Sequence, residues 1–120
     1  SQKTHHITAQ VETYTQGRRN LRYFEALVNL NPANAEEYVE ARNEQINNMY
    51  DAWQQMKLDT SKDLNLALGK DGTSQLAKFE EFFAPGGMKE IYDERLRIAL
   101  NAPDVDKGMA LMAEFMGEQE

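Results

Sequence analysis

Apolar residues recur along this 120-residue chain at alternating spacings of three and four, the pattern of helices buried on one side. Ile7, Val11, Tyr14, Leu21 and Val28 make the first such stripe and predict a helix from about Thr4 to Leu30. Pro32 ends it, because proline cannot continue a helix and pushes Asn31 out of the helical region. Asn34, with Glu37 three residues on, reads as the start signal of the next helix. That helix carries Val39, Arg42, Ile46, Met49, Trp53 and Met56 at a/d spacing and is expected to reach Thr60, a pattern suited to a seam between near-parallel helices.

Beyond Leu58 the pattern weakens. Residues 59–63 either cap a new helix or are passed through by a long one. Leu64, Leu66, Ala67 and Leu68 favour helix, and 69–72 (GKDG) reads as a stop. Thr73 or Ser74 is then expected to cap a helix presenting Leu76, Phe79, Phe82 and Phe83. Residues 84–87 (APGG) are the sharpest break in the chain, where Pro85 either kinks a helix or ends it. Met88 to Leu100 reads as a further helix with Ile91, Tyr92, Leu96 and Ala99 inward, and Val105, Met109, Met112 and Met116 follow at spacings of four, three and four. No stretch alternates with period two beside hairpin chemistry. The pattern predicts one all-α domain over 1–120, an antiparallel four-helix bundle, with five helical segments if Pro85 breaks the third helix.

Composition narrows the partners. Twenty acids against 13 bases give a net charge of −7, and nucleic-acid binding needs clustered Lys and Arg that this chain lacks. No window is apolar enough to cross a membrane, so membrane contact is expected only through segments outside this stretch. With no cysteine, disulfides, thiolate zinc sites and a cysteine nucleophile are excluded. His5 and His6 are neighbours that diverge by about 100° on a helix, so neither a metal nor a cofactor is expected. The run from Asp104 to Gly108 lacks the glycine and glutamate of a calcium loop, and reads as a helix cap with first-turn acids. With no usual triad available, enzyme chemistry has little footing.

The methionines of the last segment read first as core filler, and as a subunit seam if the stretch is part of something larger. Trp53, Tyr50 and Tyr38 likewise read as core. The arginines are harder to place. Arg18 continues the stripe of the first helix and Arg42 that of the second, putting two permanent charges on inward faces without an evident counterion. Arg22 shares the face of Arg18, and Arg19 lies beside them. An ordinary ion pair is the plain account; a groove that binds a carboxylate through guanidinium forks is the functional one.

Residues 15–22 (TQGRRNLR), the proline corner, the long second helix around 50–53 (YDAW) and the stretch 99–108 (ALNAPDVDKG) together resemble the four-helix-bundle sensor modules of bacterial chemoreceptors and some histidine kinases. The resemblance implies arginines of the first helix binding amino or organic acids across a dimer interface, with Arg18 and Arg22 as candidates and Arg19 a weaker one. Arg42 joins them on its own stripe. It also implies a homodimer on the extracytoplasmic side of the inner membrane, excised here from a longer receptor, with transmembrane signalling as the function. The competing expectation is a small helical adaptor, immunity or phage-encoded protein that binds another protein, with the cytoplasm as the alternative location.

Overall fold

A computed structural model describes residues 2–62 and 70–119, with side chains placed for 12–59 and 76–117. All regular structure among them is helical: α1 (Gln2–Leu30), α2 (Ala35–Lys62), α3 (Lys70–Phe83), α4 (Met88–Asn101) and α5 (Val105–Gln119). The first turn of the bundle is tight. Asn31 leaves the helix, and Pro32–Asn34 form a single 3-10 turn in which Asn34 N–H donates to the Asn31 carbonyl at 3.1 Å. The chain passes through Asn34 directly into α2, so this residue belongs to the turn that proline pre-sets.

α1 is the axis of the fold, and α2 returns antiparallel along it. Their approach is close because Gly17 faces Met49: a Cβ there would stand 2.6 Å from the Met49 sulfur. Phe79 and Phe82 of α3 meet Tyr14 edge-on at 4.9 and 6.0 Å. Further along, Leu96 and Ala99 of α4 share a buried cluster with Val28. α3 and α4 therefore climb α1 in succession and occupy together the place of one broken third helix. Gly86 at φ 76° makes the break, a conformation that suits a residue without Cβ. α5 then descends, with Gly108 against Ala26, Asn29 and Leu30, and Phe115 against Tyr23 at 4.8 Å. It packs principally on α1.

The core lies at the α1–α2–α3 level, where Tyr14, Leu21, Ile46, Met49, Met56, Phe79, Phe82 and Tyr92 are buried together. Burying such side chains stabilises by about 25 cal/mol for each Å² of apolar surface taken out of water, and it is this face that holds α3. It also explains where α3 begins. The expected stop and cap at 69–74 fall partly inside the helix, which starts at Lys70; an interior glycine costs only about 1 kcal/mol, less than the burial of Phe79 and Phe82 returns. The helix-prone residues Leu64–Leu68, and the side chains of Ile7 and Val11, lie outside the described residues.

Three inward expectations need correction. Ile91 is 47% exposed, because it lies about 100° round α4 from Tyr92 and the inward arc is taken by Tyr92, Leu96 and Ala99. Tyr50 is half exposed and only edges onto Trp53 and Phe83. The larger difference is in α5, where the methionine stripe is not core. Gly108 and Leu111 face α1, while Val105, Met109 and Met116 are 57, 61 and 60% exposed.

Candidate functional site

The four arginines separate once the helices pack. Arg42, on the inner side of α2, is buried and its guanidinium is paired with Asp93 of α4, while Asn43 accepts a further bond at 3.2 Å. Lys89, one turn before Asp93, binds the other carboxylate oxygen at 2.8 Å. Burial alone would raise the Asp93 pKa, but hydrogen bonds and charge from Lys89 and Arg42 prevail and hold it below 3.8. Arg42 is thus neutralised within the fold, and its pairing fixes α4 against α2.

Arg18 has no such carboxylate among the described residues. Its head lies by two buried phenols, Tyr14 on its own helix and Tyr92 on α4, with the guanidinium carbon 5.9 Å from the centre of the Tyr14 ring. Burial disfavours the charged guanidinium, yet hydrogen bonding to Tyr92 and the neighbouring phenols raise its pKa. Burial likewise pushes the Tyr14 phenol up, against the pull of Arg18. The Arg18 Nε is buried without a hydrogen-bond partner, an arrangement that costs about 1–3 kcal/mol. Arg19 and Arg22 are half-buried, and each is engaged by neighbours. The structure does not bring the four arginines into one pocket.

The grooves of the α1–α2 face have another chemistry. One of them, about 620 Å³, is lined by Glu12, Thr13, Gln16, Asn20, Gln45 and Asp51 among others. Gln16 donates to Asn20, and Asn20 donates across the helices to Gln45, both at 3.0 Å. Two carboxylates in an open amide-lined trough repel a carboxylate ligand rather than attract one. No group of three or more potential metal ligands gathers among the described residues, and no described helix is long and apolar enough to cross a membrane.

A third polar cluster joins α1, α4 and α5. Glu25, 2% exposed, accepts from Arg95 at 2.8 Å. One turn on, the buried Asn29 amide donates to the Glu25 carbonyl at 2.9 Å while its oxygen accepts the Asp104 N–H at 3.0 Å. Asp104 caps α5 by accepting the Lys107 N–H at 3.2 Å, in keeping with the capping role expected of that run. These bonds set α5 in place and leave the Val105, Met109 and Met116 side outward. It is flanked by the exposed small residues Ala110, Ala113 and Gly117.

Compared with protein-family models, curated proteins and solved structures, the chain matches none of them. The fold and surface define a helical bundle with an uncovered apolar face.

Proposed function

We infer that the chain is a helical association module whose α5 pairs with the same helix of a second copy. One observation carries this: Val105, Met109 and Met116, with the half-buried Met112 between them, stand open at four-three-four spacing, the spacing of a helix–helix seam. Charge selects the occupant. A chain of net charge −7 repels copies of itself wherever its acids face outward, and the outer flank of this stripe carries Ala110, Ala113 and Gly117 with one acid, Asp106, at its N-terminal end. A basic amphipathic helix would need a row of acids along that edge, where Asp106 stands alone. Small residues also let two helices approach closely.

The largest apolar patch of an ordinary monomer is roughly 300–600 Å² and is often functional, and Val105, Met109 and Met116 widened by alanines make a patch of about that order. Standard interfaces take about 800 Å² per partner, so pairing belongs to the weak, reversible class. Sedimentation over a micromolar concentration series is expected to show a monomer of 13.8 kDa passing to twice that mass. Met109→Lys with Met116→Lys is expected to hold the chain monomeric with helix content unchanged. A monomer at every concentration, or a dimer indifferent to both lysines, refutes the pairing.

A second reading, an extracytoplasmic sensor for a small carboxylate, is supported by Arg18. It is the inward arginine without a described carboxylate partner, and its Nε is unsatisfied. α1 and α5 also run antiparallel, so the first helix enters and the last leaves toward the same end, as signalling through a piston or rotation requires. A dicarboxylate or amino acid that raises the melting midpoint, with the rise abolished in Arg18→Gln, would favour it. No rise across a panel of such acids would set it aside.

A further inference from the structure

The fold sorts the methionines sharply. Met49 and Met56 are 0% exposed, Met88 and Met112 are half-buried, and Met109 and Met116 stand 61 and 60% exposed on the outward side of α5. A thioether is oxidised at a rate that follows its access to solvent. The chain has no cysteine, so an incoming peroxide meets no thiol that would react first.

We propose that Met109 and Met116 form an oxidation-sensitive modification site, at which a peroxide converts both thioethers to sulfoxides and so releases the α5 pairing. This rests on the association reading above. In the reaction a sulfur lone pair attacks one peroxide oxygen. The S–O bond forms as the O–O bond breaks, sulfur gives up two electrons to the peroxide, and the departing hydroxide takes the proton of the transferred oxygen and leaves as water. Each event replaces a soft apolar sulfur by a polar, hydrogen-bond-accepting S=O group. Free in solvent, that group is satisfied by water. Brought into a seam made of Val105, the other methionines and small residues, it meets no donor and keeps its desolvation cost.

Geometry concentrates the effect. Met109 and Met116 are seven residues apart, two turns along one side of α5, so a symmetric pair carries four sulfoxides along one seam. The side of α5 that holds it to α1 is built from Gly108, Leu111 and Phe115, with the half-buried Met112 at its edge. Oxidation therefore spoils the outer face and leaves the inner one, and the protomer keeps its fold while losing its partner. A leucine at these positions would pack as well in a permanent seam, but would not respond to peroxide.

The test uses the full chain and dilute hydrogen peroxide. Peptide mass mapping is expected to show Met109 and Met116 gaining oxygen at least about tenfold faster than Met49 and Met56. Sedimentation of the doubly oxidised protein is expected to show dimerisation weakened at least about tenfold, with helix content unchanged and pairing restored by methionine sulfoxide reductases. Met109→Leu with Met116→Leu is expected to pair normally and to keep pairing after peroxide. Oxidation of the buried pair as fast as the exposed pair overturns the site. A dimer that ignores oxidation, or a leucine variant that peroxide still dissociates, overturns the switch alone, whereas a reduced wild-type chain that never pairs overturns the association reading and the switch with it.

Discussion

Replacing Gly108 with alanine adds one methyl group where α5 lies closest to α1. An ideal Cβ at that position would stand 2.8 Å from Leu30 Cγ, 2.9 Å from Asn29 Cβ and 3.0 Å from the Ala26 carbonyl oxygen. The leucine can turn aside, but the other two are fixed by the α1 backbone, and Asn29 is additionally held by two hydrogen bonds. α5 must therefore ride outward, loosening the Asn29 to Asp104 bond and the Phe115 to Tyr23 contact. Overpacking of this kind costs about 1–3 kcal/mol, with the lost hydrogen-bond geometry added. Alanine returns about 1 kcal/mol through helix propensity, so the net expectation is a loss of about 1–2 kcal/mol. In a domain of this length that lowers the melting midpoint by roughly 4–10 °C. Gly117, in the same helix, is the internal control. Its Cβ would meet nothing within 4 Å, and Gly117→Ala should be neutral or stabilising by a few tenths of a kcal/mol. Far-UV circular dichroism in urea and on heating, at one fixed protein concentration, reads both variants. A Gly108→Ala protein as stable as the wild type would refute the seating of α5 described above.

Asp93→Asn leaves the buried Arg42 head without its carboxylate, and because Asp93 is itself 38% exposed the expected loss is about 1–3 kcal/mol, short of the full cost of breaking a wholly buried pair. The native Asp93 pKa is depressed below 3.8, so its contribution is present above that pH and lost as the pH falls through the folded-state value; acid melts should show this loss in the wild type and not in Asp93→Asn. Gly87→Ala, whose Cβ would lie 2.1 Å from the Glu81 carbonyl oxygen, is expected to cost about 3 kcal/mol in the same urea assay, against about 1–2 for Gly86→Ala at its positive φ. Tyr14 should resist ionisation beyond pH 10.0, and in an ultraviolet titration the Tyr14→Phe variant should lack one phenol that ionises above that pH in the wild type.

Much of the fold was legible because each helix states its own period and proline or glycine marks most corners. The break at 84–87 was readable from two glycines and a proline, and the cap at Asp104 from the acids that follow. Single-helix periodicity does not say which of two apolar arcs faces inward. In α5 the methionines hold perfect seam spacing, yet Gly108, invisible to a hydrophobicity pattern, chooses the contact with α1 because it permits the closest approach. Ile91 was misplaced for the same reason, being apolar but a quarter-turn off the arc that packs. The arginine puzzle was partly solvable: Arg42 needed a carboxylate, but Asp93 is 51 residues away, and nothing local points to it. Arg18 shows the limit of charge reasoning, since its neighbours are the phenols of Tyr14 and Tyr92, which read in sequence as core aromatics.

The buried Asn29 amide has a consequence for how the last helix comes and goes. Among the described residues its oxygen has one partner, the first amide of the turn that opens α5, so a sliding displacement by one residue would strand that oxygen in a dry contact at a cost of about 1–3 kcal/mol. Intermediate registers are disfavoured, and α5 is either docked in its single notch or away altogether. Its backbone amides should then exchange with deuterium as one group, through a shared opening rather than by fraying from the end.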